Sequence, residues 1–304
     1  RHSALSHGHI EKLEAQLKAE VQELLALAEQ ADQADVPTGV SLPEELKRRE
    51  DRLAAMAVAK AKIVARAEER YQREKAEYDE KMARRAAKQE ASGKKPGGKP
   101  PKAPEPGAQG SDQINLTDEE SRIMRVAGGG FEQAYNAQAA ADAATMLVVA
   151  TGVTQAPNDK QQVEPMLATL KAQAGVLGAV ECLIADSGYC SEKNIKACEA
   201  AGIEPLIAVA RDEHHPNWRE RHSEPAPLPD DATPVQAMSH RLKTKAGRAL
   251  YGLRKQTIEP VFGIIKSVMR FRRFSLRGLK KVTGEWTLIC LAWNLKRLAV
   301  LRPQ

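Results

Sequence analysis

The chain has 304 residues, 42% hydrophobic and only 4% aromatic, with a net charge of +6. That length suits one large domain or two smaller ones, with a core built mostly of Ala, Leu, Ile and Val. No apolar run is long enough to span a bilayer ("LVVATGV" and "LICLAW" are core-length), which argues against a membrane role.

The four cysteines, Cys182, Cys190, Cys198 and Cys290, form no CxxC pair and have no zinc-ligand spacing. They read as reduced, buried thiols of a cytoplasmic protein. The sequence begins "RHSALSHGH", with neither Met nor signal peptide, and reads as a processed or truncated product.

Residues 1–90 read as a long antiparallel helical hairpin. Ile10, Leu13, Leu17, Val21, Leu24 and Ala28 recur at steps of three and four, placing an apolar stripe on one helix face. "ADVPTGVSLP" at 34–43 interrupts the pattern, and Leu46, Leu53, Met56, Ile63 and Val64 resume it. The far part, "ERYQREKAEYDEKMARRAAKQE", is charged all round and should project into solvent. Residues 91–114 are rich in Pro, Gly and Lys without apolar periodicity, and read as a flexible basic linker.

From 115 to 304 the pattern changes. "AYNAQAAAD" and "TMLVVATGVT", split at Asp142, read as a β-hairpin. Asn158 or Asp159 can cap a helix ending near Gly175. "VECLIAD" is a short buried strand, Ser191 can cap a helix over Glu192–Ala201 closed by Gly202, and "EPLIAVA" is the next strand. Strand, helix, strand at this spacing is a βαβ unit with a parallel pair. Residues 211–240 are polar and Pro-rich and read as a long loop. It carries His214, His215 and His222 at a spacing that fits no standard metal site. From Arg241 the chain is helical and basic, ending in the core-packing stretch "WTLICLAWNLKRLAVL".

Two carboxylates stand out. Asp186 closes a buried parallel strand and is followed by Ser and Gly; in open α/β sheets ligands gather at that strand end, although a turn-capping Asp looks the same. Glu259 is the single acid between Arg241 and Lys281, against thirteen Lys or Arg. On a helix over 259–273, at about 100° per residue, Val261, Ile264, Ile265 and Val268 share one face. Glu259, Gly263, Lys266, Arg270 and Arg273 share the opposite one. Pro260 would clash in a continuous helix, so a helix starts or kinks near Glu259. The plainer account of Glu259 is charge offset by Lys255 and Lys266. The chemical account is metal-dependent phosphoryl transfer, in which carboxylates hold Mg²⁺ and the surrounding bases hold a phosphate backbone.

"IADSGYCSEKN" and "YGLRKQTIEPVFGIIK", with "NLTDEESRIM…GGGFEQAYNAQAA" and "PNDKQQ", resemble the DDE transposases of bacterial insertion sequences over about residues 112–300. The resemblance implies an α/β, RNase H-like mixed sheet with flanking helices, interrupted by a helical insertion like residues 1–90. It implies Asp186 and Glu259 as catalytic metal ligands for Mg²⁺ or Mn²⁺. Tyr251, Arg254 or Lys255, and Lys266 match the family's Tyr-Arg-Glu-Lys signature. With Arg270 and Arg273 they would contact DNA. DNA is the implied partner, with a homodimer as an option, in a cytoplasmic, nucleoid-associated protein. The family's first catalytic Asp lies on a strand upstream of the helical insertion, and no residue here matches it; Asp142 and Asp159 are the substitutes to weigh. The expected function is therefore a transposase that cleaves DNA and transfers a 3′-OH, truncated and inactive alone. The alternative is a non-catalytic DNA-binding or regulatory fragment. A purely structural coiled coil would explain the hairpin but neither the βαβ unit nor Glu259.

Overall fold

The computed structural model describes residues 4–29, 41–94, 97–126, 129–210 and 223–302. The chain divides into two compact units, Arg1–Glu119 and Glu120–Gln304.

The first unit is built on two long helices. Helix α1 (His7–Glu29) lies against α2 (Leu42–Ser92), and Ile10 and Leu17 pack with Met56, Ala59 and Ile63 in a shared core. Ion pairs run between the two antiparallel helices: Arg49 Nε donates to Glu20 at 2.8 Å, and Lys60 lies 3.4 Å from Glu14 and 3.6 Å from Glu11. Pro43, in the first turn of α2, is tolerated because its missing N–H would have no helical partner there. Two short strands were not anticipated: β1 (Ala4–Ser6) pairs antiparallel with β2 (Gln113–Asn115), with Leu5 opposite Ile114.

The segment expected as a flexible linker runs back along α2. Gly93 takes a left-handed backbone, φ 64°, and ends that helix. On the return, Arg85 donates to the carbonyls of Gly97 at 3.3 Å and Gly98 at 3.2 Å. Arg70 donates to both oxygens of Asp112, at 2.5 and 3.1 Å, and to Gly107 O.

In the second unit, β3 (Arg122–Arg125) pairs antiparallel with β4 (Phe131–Ala134), and β5 (Asn136–Ala141) with β6 (Val148–Thr154). After α3 (Val163–Ala172) and the short α4 (Ala174–Leu177), β7 (Cys182–Ala185), α5 (Glu192–Ala200) and β8 (Glu204–Ile207) form the expected parallel βαβ unit, with Cys182 opposite Glu204. Ser191 caps α5 by accepting from Asn194 N at 3.1 Å. Among the described residues the sheets are thus four two-stranded pairs, three antiparallel and one parallel, in a mixed α/β fold.

The basic helices follow as α6 (Pro234–Lys243), α7 (Lys245–Gln256), α8 (Ile258–Ser267) and α9 (Leu279–Leu301). The expected loop therefore ends early. Thr233 and Gln236 form a capping box around Pro234, which starts α6 inside it. His214, His215 and His222 lie outside the described residues. Between α6 and α7 the corner requires glycine, since a Cβ on Gly247 would lie 2.0 Å from the Arg241 carbonyl oxygen.

Helix α9 is stitched to the β5–β6 hairpin. Trp286 Nε1 donates to Gln138 O at 2.8 Å, and Trp293 Nε1 to Met146 O at 2.9 Å. The Asn294 side chain accepts from Val148 N and donates to Val148 O, both at 2.8 Å. Val261 and Ile265 of α8 are buried in the same core. Each such aliphatic side chain contributes about 1.5–3 kcal/mol through removal from water.

All four cysteines are free. Cys198 and Cys290 are buried; burial pushes the Cys198 thiol up to about 11 and the Cys290 thiol up to about 12, so neither is a ready nucleophile. Among the described residues no helix is long and apolar enough to cross a membrane.

Asp112 gives a pH test of the first unit. Burial raises its carboxyl pKa, but hydrogen bonds from Arg70 and Gln109 N outweigh that and hold it below the usual range. The ionised form is the stabilising one, so its contribution is present at neutral pH and is lost as pH falls through the depressed value. Asp112→Ala should cost about 1.5–3 kcal/mol at pH 7. Thermal melts from neutral to strongly acidic pH should show the gap to wild type closing only in acid.

Candidate active site

Asp186 follows β7 and caps a 3₁₀ turn (Ser187–Tyr189), accepting from Gly188 N at 2.8 Å. Glu259 comes from much later in the chain, in the first turn of α8. The helix break anticipated from Pro260 falls at Thr257, whose backbone (φ −117°, ψ −83°) separates α7 from α8. Thr257 is buried and its hydroxyl donates to Leu253 O at 2.8 Å, tying the two helices at the break.

Arg254 joins the two carboxylates. Its Nη2 donates to Glu259 Oε1 at 2.8 Å, and its Nη1 lies 3.9 Å from Asp186 Oδ2, a charge contact rather than a hydrogen bond. The Arg254 side chain is 20% exposed, whereas Asp186 and Glu259 are 48% and 49% exposed. Its Nε is buried without a hydrogen-bond partner. The guanidinium carbon also lies 5.6 Å from the centre of the Tyr251 ring. Of the neighbouring pair Arg254 and Lys255, Arg254 meets the two carboxylates and Lys255 is exposed. The charge-offset account of Glu259 named Lys255 and Lys266, but Glu259 pairs with Arg254.

Lys266 is exposed on α8, its Nζ 5.7 Å from the centre of the Phe262 ring. Arg270 and Arg273 are exposed but do not continue the stripe of α8, because the helix ends at Ser267. Arg270 takes a left-handed backbone, φ 58°, and the chain turns so that Phe271 N donates to Ile265 O at 3.0 Å. Phe271 then meets Trp286 and Phe274. Val268, expected on the buried face, is 63% exposed for the same reason.

Asp159 does not cap α3, whose N-cap is Gln162. Its Oδ1 instead accepts from Asn136 Nδ2 and Gln138 Nε2, each at 2.7 Å. The Tyr189 hydroxyl donates to Gln138 Oε1, which fixes the way that amide faces. Burial pushes the Tyr189 hydroxyl far up, and the negative charges of Asp159 and Asp186 push the same way, so it remains a donor. Buried Asn194 closes the arrangement by donating to Lys160 O at 2.8 Å and Tyr189 O at 2.6 Å. A Cβ on Gly188 would lie 3.0 Å from Asp186 Oδ1 and 3.2 Å from Asp159 Oδ2, so the two carboxylates face each other across that glycine.

Asp142 stands elsewhere. It accepts from Thr145 N at 2.7 Å in the β5–β6 turn, about 20 Å along the strand from Asn136 at 3.3–3.4 Å per residue. Gln138, Asn136 and Tyr189 were missed in the sequence. The available signal was Asn136 and Gln138 two apart in an alanine-rich strand, hence on one face.

Asp186 and Glu259 offer only oxygen donors, a donor type that fits a hard divalent cation. Among the described residues no group of three His, Cys, Asp or Glu side chains stands close enough to hold a metal ion.

Gln138→Leu would leave Asp159 and the Tyr189 hydroxyl short of a partner. We expect a loss of about 1–3 kcal/mol in the unfolding free energy, read by denaturant titration.

No curated protein and no solved structure matches the chain. A family model described as the transposase DDE domain matches residues 102–295, well over half of the sequence and all of the site residues above. The chain therefore belongs to the DDE transposases.

Proposed function

We propose that residues 120–304 form an RNase H-like core for metal-dependent phosphoryl transfer on DNA. The observation that carries this reading is the shared guanidinium: Arg254 draws a carboxylate from a strand end and one from a helix start to a single positive centre. Asp186 and Glu259 would hold Mg²⁺ or Mn²⁺, which supplies charge stabilisation to the attacking and leaving oxygens when bound. In this reading Asp159, rather than Asp142, is the further carboxylate that supports them, and the hydrogen bonds to its Oδ1 and the nearness of its Oδ2 to the Gly188 turn support that choice.

The chain's own groups do the rest. The Gly188 amide holds Asp186 at the strand end, and the break at Thr257 sets Glu259 in the first turn of its helix. Tyr251, Arg254, Lys255, Lys266, Arg270 and Arg273 offer the positive and aromatic surface that a phosphate backbone requires. In the first reaction water attacks phosphorus, and the bond to the 3′ oxygen breaks to leave a 3′-OH and a 5′-phosphate. In the second, that 3′-OH attacks a target phosphodiester and displaces its 3′ oxygen. Each step exchanges one P–O bond for another.

One observation favours the alternative of DNA binding without chemistry: the absence, among the described residues, of three carboxylates close enough to hold a metal. The two readings separate in a nicking assay of the full chain on plasmid DNA carrying the element's ends, with Mg²⁺ or Mn²⁺. Asp186→Asn, Glu259→Gln and Asp159→Asn should each lower cutting by at least about 10²-fold, the scale of removing one electrostatic interaction with the transition state, and leave DNA binding intact. Cutting by Glu259→Gln at the wild-type rate would remove the catalytic reading; binding without cutting by every form would establish the alternative.

A further inference from the structure

We infer that the distal end of the helical hairpin is a second nucleic-acid contact, built to grip the phosphate backbone of duplex DNA without reading sequence. It rests on the proposed function only in taking DNA as the partner.

The observation is a sharp reversal of charge along α2 and the segment that returns beside it. Residues 68–80 carry six acids and three bases, whereas residues 81–102 carry eight bases and one acid, Glu90. A solvated helix kept soluble by mixed charge has no need of this segregation, which leaves one end of the arm as a concentrated positive field. The charges are also available. Lys88, Lys94 and Lys99 are exposed, and no carboxylate among the described residues lies within ion-pairing distance of them. Lys81 and Arg84 meet Glu77 and Glu80 at 3.5 and 2.6 Å, but these pairs are on the exposed helix surface, where they contribute little and exchange readily for phosphate.

The end is held in shape. Gly93 reverses the chain, and Arg85 anchors the return through the carbonyls of Gly97 and Gly98. Lys88 on the helix and Lys94 and Lys99 on the return thus present charge from both limbs of one turn. Residues 81–102 contain no aromatic side chain on which a base could stack. Lysines without aromatics neutralise phosphates and supply no base readout, so the partner is the duplex backbone rather than unpaired bases.

The test uses the full chain and a 30-base-pair duplex of arbitrary sequence, with binding followed by fluorescence anisotropy across a KCl series. The Lys88→Gln/Lys94→Gln/Lys99→Gln variant should bind more weakly. The slope of log affinity against log salt should be shallower by up to about 2.7, which is about 0.9 for each of three phosphates no longer neutralised. A second duplex of unrelated sequence should show the same weakening, and the variant's melting temperature should match wild type. Arg270→Gln/Arg273→Gln serves as the comparison in the catalytic unit. If that variant lowers the slope while the triple variant keeps wild-type slope and affinity, the arm contact is wrong and the proposed function stands. If neither variant changes the slope, both fail. Loss of binding to anionic lipid vesicles by the triple variant, with DNA binding unchanged, would assign the surface to a membrane and overturn the inference.

Discussion

Arg254 joins the two carboxylates of the candidate site. A guanidinium cannot shed its charge, and this one is mostly withdrawn from water, so anions must be brought to it. The fold brings two: Asp186 from the end of a parallel strand, and Glu259 from the start of the next helix. The helix break at Thr257, which Pro260 favours, makes the second contact possible. A continuous helix would set Glu259 five residues beyond Arg254 on a turning surface; the break lets the carboxylate reach back to it. Glu259, the single acid among thirteen bases between Arg241 and Lys281, is half of the anionic pair at this guanidinium.

The site is supported by the same groups that build the core. Trp286 buries its ring between α8 and the β5–β6 hairpin while its indole N–H holds the backbone of Gln138. The Gln138 side chain then reaches toward Tyr189 and Asp159. Apolar packing therefore fixes the strand, the strand presents its amides, and the amides orient a carboxylate beside Asp186. Asn194 does the complementary task from α5, holding the loop of Asp159 to the turn of Tyr189. Buried amides of this kind are costly unless every donor is used, which makes the arrangement specific as well as stable.

Much of this was legible in the sequence where local rules act alone. Alternation marked the β5–β6 hairpin, Ser191 marked the cap of α5, and Pro260 marked the break between α7 and α8. Contacts distant in sequence were not legible. Arg254 and Lys255 are neighbours of like charge, and only the packing of α7 tells which one turns inward. Asp159 looked like a helix cap because its partners, Asn136 and Gln138, lie on a strand some twenty residues earlier. Extending one helical face to Arg273 failed because Arg270 adopts a left-handed backbone and sends Phe271 into the core. The start of α6 was a missed local signal, since Thr233, Pro234 and Gln236 spell out its cap. Strands β1 to β4 are three or four residues long, too short for a period to register.

The central claim is that Asp186 and Glu259 form one cation-holding centre. It is tested most directly by titrating Mn²⁺ into the full chain and following the free-ion signal by electron paramagnetic resonance. The account predicts one site whose affinity falls by about tenfold or more in both Asp186→Asn and Glu259→Gln. Mn²⁺ binding that neither substitution weakens, or no binding by the wild-type chain, would contradict it.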